Sequence, residues 1–218
     1  MKHLSLNTER FIEILCDDLT AFILKYFLIE YVVIFTSTPL YIIKGGAFFV
    51  EIHYENPIAA IKLGEAIKSS IDTPFITICI GTDRCIGDCL GPIIGHKLKE
   101  NHFPYPVYGT LKNPIHAVNM VDTIPSIQSN YPNLPILAID ASLGSDKSIG
   151  KVCFRKGAVS PGKGVGKALP NVGDYSFIGI VGTYNHVENL NIHQVRLYLI
   201  WKIAETMVES LFNSIKKT

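Results

Sequence analysis

The sequence predicts an α/β sandwich built on a mostly parallel sheet, and three features carry that expectation. Ile76-Thr77-Ile78-Cys79-Ile80 and Ile136-Leu137-Ala138-Ile139 are short apolar runs with the look of strands buried on both faces. Helical and strand-like segments alternate from residue 56 onward at the spacing of crossover units. Ile192, Val195, Leu199, Ile203, Met207 and Leu211 step by three then four, which marks one long amphipathic helix closing the chain.

The elements follow in order. Asn56-Pro57 reads as an N-cap followed by proline at the first helical position, and Ala60, Leu63, Ile67 and Ile71 then recur on one face. Residues 75–80 form the first core strand, 93–98 continue as a helix, and 107–110 make a brief second strand. Asn113-Pro114 opens another helix, interrupted near Pro125 because an internal proline removes a hydrogen bond and crowds the preceding turn. A strand ending at Asp140 comes next, and residues 151–155 and 177–181 supply two more.

Composition limits the functions open to such a fold. With 218 residues, 48% of them hydrophobic and 18% charged, the chain can bury one substantial core. Lys plus Arg number 20 against 19 Asp plus Glu, so there is no basic excess to hold a nucleic-acid backbone. The five cysteines are odd in number, and Cys79 and Cys153 fall in strand-like runs, which suits free thiols in a reducing cytoplasm. Cys85 and Cys89 lack a second pair, so zinc has little support, and the expectation is no metal and no cofactor.

Residues 1–49 stand apart as an apolar N-terminal extension. Residues 19–35 are the most apolar stretch, yet Lys25 and Glu30 interrupt it and it falls short of the ~20 residues of a membrane span. Two central charges cost about 5–7 kcal/mol on the insertion scale, roughly what the apolar residues return. A membrane anchor is therefore the minor reading, and no secretory signal pattern is present. Another reading is a start-site artefact: Lys44-Gly45-Gly46 is how a purine-rich ribosome-binding sequence reads when translated, with Ala47-Phe48-Phe49 as spacer before a start at Val50. Residues 50–218 are expected to form a single α/β domain.

The chemistry is sought beyond the C-terminal ends of the strands, where α/β sheets build their sites. Gly81, Thr82, Asp83 and Arg84 follow the first core strand and are candidate substrate-binding residues, as are Gly162, Lys163 and Gly164 of a glycine-rich loop. That loop, Ser160-Pro161-Gly162-Lys163-Gly164-Val165-Gly166-Lys167-Ala168, is not a P-loop, because Pro161 and Ala168 replace its required first glycine and its magnesium-binding hydroxyl. A flexible loop closing on a substrate is the better expectation. No Gly-x-Ser-x-Gly elbow accompanies a strand. Two carboxylates remain. Asp88 stands just before a helix, so it reads either as an N-cap or as a site residue. Asp140 ends an apolar strand, where a buried charge requires a partner or an altered pKa. If the two strands are neighbours, carboxylates at about 4 Å repel by roughly 4 kcal/mol and one proton is shared near neutral pH. Such a pair can act as acid and base on water.

The stretch from about residue 53 to 212 resembles the YyaC-type sporulation proteins. The match is densest over Ile80-Gly81-Thr82-Asp83-Arg84, Gly87-Asp88-Cys89-Leu90-Gly91-Pro92, Val107-Tyr108-Gly109-Thr110-Leu111 and His116-Ala117-Val118-Asn119. More distantly it is similar to the spore germination protease, through Asp88-Cys89-Leu90-Gly91-Pro92, Ala138-Ile139-Asp140-Ala141 and Pro161-Gly162-Lys163-Gly164-Val165-Gly166. More distantly still, it resembles the hydrogenase maturation proteases. The resemblance implies a three-layer α/β/α sandwich of phosphorylase/hydrolase type and assigns the catalytic pair to Asp88 and Asp140. The germination protease is longer and made as a precursor, so its substrate does not carry over. In the maturation proteases, acids at these two positions join a histidine to grip nickel in the partner protein. The histidine in a comparable region here is His186, a lone loop residue with a weak claim to a metal.

Two classes of function stay open. One is a cytoplasmic, sporulation- or germination-associated aspartate-dependent endopeptidase acting on a protein or peptide substrate without a cofactor. The other is a binding or assembly protein that keeps the carboxylates on a peptidase fold without turnover. A metal-recognising maturation protease is a further alternative.

Overall fold

A computed structural model describes residues 32–34, 41–44, 47–162, 169–183 and 195–215. Its strands are β1 (Val32–Ile34), β2 (Tyr41–Lys44), β3 (Ala47–His53), β4 (Ile76–Cys79), β5 (Val107–Tyr108), β6 (Ile136–Gly144), β7 (Lys151–Lys156) and β8 (Tyr175–Thr183). Its helices are α1 (Ala59–Ser70), α2 (Leu90–Glu100), α3 (Met120–Asn130) and α4 (Leu197–Ile215). All eight strands join one sheet in the order β1-β2-β3-β7-β8-β6-β4-β5. From β8 to β5 every pairing is parallel, and β3 and β7 extend that block with antiparallel pairs. The six strands from β3 to β8 thus form the mostly parallel sheet of an α/β sandwich, and β1 and β2 continue it as an antiparallel edge.

Helices cover both faces of the sheet. Leu63 and Ile67 of α1, Leu90 and Ile94 of α2, and Ile203 and Met207 of α4 share one core with Leu137, Ile139 and Phe177. Met120, Ile124 and Ile127 of α3 make a second core on the other face with Ile76, Ile78, Ile136 and Ala138. This is why β4 and the first five residues of β6 are buried without polar alternation: each side chain meets a helix or loop layer, whichever way it points.

Local detail departs from the sequence reading where tertiary contacts compete. Asn56 accepts the Ile58 N–H at 3.1 Å in a turn, and α1 begins at Ala59. Asn113-Pro114 starts a loop, and α3 begins only at Met120. Pro125 lies inside α3 without ending it. The carbonyl it leaves without an intrahelical partner belongs to the exposed Val121, where water can take that place. The 1–49 boundary falls inside β3, whose Phe49 pairs with Arg155 of β7. Most of residues 19–35 lie outside the described residues. Among the described residues no helix is long and apolar enough to cross a membrane.

Candidate active site

The chain runs from β4 through α2 to β5 on one side, then returns through α3 to β6 on the other side of β4. These two crossovers place α2 and α3 on opposite faces and open a crevice between the C-terminal ends of β4 and β6, the switch point at which open α/β sheets bind ligands. Both predicted aspartates belong to this crevice.

β4 and β6 pair in register from Ile76↔Ile136 to Cys79↔Ile139, and the Ile80 N–H still donates to the Ile139 carbonyl at 2.8 Å. There they part. Gly81 turns the chain with φ 137°, and a Cβ at that position would collide with the carbonyl oxygen of Asp88. β6 instead continues beside β8, with Asp140 in register with Ile178, as far as Gly144. Asp140 therefore does not end its strand, as the sequence had indicated. It is the first β6 residue past the reach of β4, and losing that neighbour, not leaving the sheet, is what brings the apolar run to a close.

Asp88 closes a short 3-10 turn, Ile86–Asp88, with its N–H donating to the Cys85 carbonyl and its carbonyl accepting the Thr82 N–H, each at 3.0 Å. The N-cap position of α2 is held by Cys89, and no side-chain capping bond is made there. Helix capping thus does not explain the aspartate. α2 itself lies directly on the end of β4, because Gly91 offers no Cβ to strike the Ile80 carbonyl.

Burial dominates the electrostatics. Asp140 is only 8% exposed, and desolvation, reinforced by the charge of Asp88, holds its carboxyl well above the usual range against a 2.9 Å hydrogen bond from the Ala141 N–H. Desolvation pushes Asp88 up to about 6, opposed by a hydrogen bond from the Thr82 N–H and by the charge of His116. The two protons leave in steps that belong to the pair, and in the interval one carboxyl can accept a proton while the other donates one. Burial also pushes the neighbouring Cys89 up to about 11, so it remains a thiol.

The other predicted residues divide. Gly81 is buried, and its part is the turn just described. Thr82 is half-buried and takes the Arg84 N–H on its hydroxyl at 3.3 Å, while Asp83 and Arg84 are exposed. Gly162, with φ 77°, sits just past a stem formed by the Val159↔Val172 bridge. That stem packs in the same core as Ala138, on the sheet face to which alternation assigns Asp140. Lys163, Gly164 and His186 lie outside the described residues. Among the described residues no group of three or more His, Cys, Asp and Glu side chains is placed to hold a metal ion. Sequence reasoning missed His116 as a site residue, although its place just beyond a parallel strand's C-terminal end was a usable signal.

Fold and site together define an α/β sandwich protein with a pair of desolvated carboxyls, Asp140 buried and Asp88 half-buried, at the switch point of its sheet. The chain belongs to the family described as "Protein of unknown function (DUF1256)", whose model matches residues 51–210. It is also 41% identical over 179 residues to "Uncharacterized protein YyaC" of Bacillus subtilis (strain 168), a match covering 77% of this chain and 87% of that protein. The YyaC-type resemblance read from the motifs is thus borne out.

Proposed function

We propose that this protein is an aspartate-dependent endopeptidase of the cytoplasm, working in spore formation or germination, with Asp88 and Asp140 as its catalytic pair. The observation that carries the reading is the juxtaposition of two carboxyls with raised proton affinity at the switch point, one of them titrating at about 6. Asp88 takes a proton from water as the water oxygen bonds to the scissile carbonyl carbon, while Asp140 gives its proton to the carbonyl oxygen. Asp88 then passes its proton to the amide nitrogen as the C–N bond breaks, and the hydroxyl proton returns to Asp140. Exposed Ile86, two residues from Asp88, and Val118 and Val121, just beyond His116, offer apolar contacts suited to a peptide substrate.

Purified protein incubated with unfolded spore proteins is expected to cleave them, with and without chelator, because a carboxyl pair needs no ion to activate water. Chelator-sensitive turnover restored by a transition metal would replace the reading with a metal mechanism. Wild-type cleavage by Asp88→Asn would remove the pair from the chemistry, and saturable peptide binding without cleavage would make the protein a binding module on a peptidase fold.

A further inference from the structure

The large apolar side chains that stand exposed are not scattered. Among the described residues there are eight, and all lie at the end of the molecule where the carboxyl pair is found. Three belong to the loops that leave the C-terminal ends of β4 and β5, Ile86 among them. The other five open helices that start at that end: Ile61 in α1, Val121 in α3, and Leu197, Tyr198 and Trp201 in α4. For α4 the direction follows from its neighbours. Ile203 and Leu90, the first residue of α2, both meet the space over Gly179, and Phe212 stands edge-on to Phe103, just past the end of α2, with 5.3 Å between ring centres. α4 therefore runs beside α2 in the same sense, and it also packs on the turn Ile86–Asp88. Single exposed apolar side chains are ordinary, but their collection at one end marks a surface built for contact.

Trp201, the single tryptophan of the chain, is 43% exposed yet fixed: its Nε1–H donates to Glu205 Oε1 at 2.7 Å, and Lys97 Nζ sits 3.9 Å from its ring centre. Tyr198, 64% exposed, stands three residues earlier on the same helix face. An aromatic ring already held in place loses little freedom on binding, which makes exposed Trp and Tyr effective anchors. We propose that the opening turns of α4 dock an unfolded polypeptide, seating its aliphatic or aromatic side chains on Tyr198 and Trp201 while the chain runs on into the carboxyl crevice. Asp140 is only 8% exposed, so a strand released from its own fold is what reaches it. α2 begins just after Asp88, α4 packs beside it, and neighbouring helix axes lie about 8–10 Å apart. Anchor and crevice are thus separated by roughly 10–15 Å, the span of about three to five extended residues. A second copy of this chain seated on the same end would seal the crevice that the patch surrounds. A lipid surface calls for a basic rim, whereas Lys97 and Lys202 are committed to the Trp201 ring and to Glu205. The inference deepens the proposed function by giving the form of its substrate, and rests on it for the fate of the bound chain, but docking is read without turnover.

The experiment uses the full chain carrying Asp88→Asn, so that nothing bound is cut. The probe is a tryptophan-free peptide of about twenty residues, long enough to span patch and crevice, in which Leu and Phe are spaced among Ser, Asn and Lys. Because Trp201 is the single tryptophan of the chain, its emission reports the patch alone. Saturable peptide binding is expected to shift that emission and to shield the ring from acrylamide. Tyr198→Ser in the same background is expected to weaken binding about fivefold or more, and Leu197→Ser makes the same comparison if that variant fails to fold. Absence of binding, or binding with unchanged emission and full affinity in both variants, overturns the inference. So does an emission change that follows protein concentration without peptide, which gives the surface to a second copy, or one produced by phosphatidylglycerol vesicles and not by peptide, which gives it to lipid. Chains with Asp88 intact separate the two ideas: peptide that docks on Trp201 but is never cut leaves the inference standing and removes the peptidase reading, whereas cleavage with Trp201 silent and Tyr198→Ser as efficient as wild type does the reverse.

Discussion

The backbone N–H of Gly81 donates a 2.8 Å hydrogen bond to the carbonyl of Ile115, tying the loop that leaves β4 to the loop that leaves β5. Around that bond the candidate site is assembled. Gly81 directs the chain toward Asp88, Ile115 delivers His116, and β6 carries Asp140 past the point at which β4 stops.

The raised carboxyls make stability depend on pH in a definite sense. Asp88 titrates at about 6 in the folded protein and near 3.8 when unperturbed, so between those values the folded state holds more protons than the unfolded chain. Stability from this group is present at the acid end of the window and declines as pH rises through about 6, by on the order of 2–3 kcal/mol. Asp140 acts in the same direction. Urea unfolding at pH 5 and pH 7.5 is expected to show the decline in wild type and a smaller one in Asp88→Asn. Equal pH dependence in both proteins would mean that Asp88 is solvated.

Replacing either aspartate by Asn removes a desolvated carboxyl and is expected to leave the thermal midpoint at pH 7.5 unchanged or higher while abolishing cleavage. Asp88→Ala tests the capping alternative, since loss of an N-cap costs about 1 kcal/mol. Because Cys89 holds the cap position, no such loss is expected. Circular dichroism melts of the three variants beside a cleavage assay provide the comparison.

Cleavage itself is expected to rise with pH through about 6, as Asp88 ionises, and to fall again once Asp140 gives up its proton. A flat profile between pH 5 and 8 would contradict the assignment of base and acid.

Gly81→Ala is expected to lower stability by about 2 kcal/mol or more, because a positive φ is strained for alanine and the added methyl meets the Asp88 carbonyl. The same substitution displaces Asp88 and is expected to reduce cleavage. Gly157→Ala is the control: its φ is 118°, but no atom lies within 4 Å of the added Cβ, so it bears the backbone strain alone and leaves the site intact.

A chain beginning at Val50 retains the β3–β7 register from Val50↔Phe154 to His53↔Lys151. Val50 and Ile52, both buried in the main core, stay in place. Its thermal midpoint is expected to match that of the full chain. A large drop would assign structural weight to the residues before it.

Much of this molecule is written locally in its chain. The apolar runs at 76–80 and 136–139, the 3.6-residue period of the last helix and the two aspartates beside those runs follow from side-chain chemistry that any segment carries with it, so the α/β class and the candidate pair were legible before folding was considered. Boundaries were not: Asn113-Pro114 has the residues of a helix start, but the Pro114 carbonyl and His116 N–H are committed to Asn119, and the helix waits until Met120. Nor was the true reach of β6, because a strand's length is set by the neighbour it pairs with, and β8 lies 35 or more residues further on. His116 was not assigned to the site for the same reason. Its place past a strand's end was a signal, but only the return of the chain from β5, closed by Gly81 and Ile115, brings its charge to bear on Asp88. Residue type determined which groups could ionise; strand order and burial decided which of them meet, and so which carboxyls are held above their usual range.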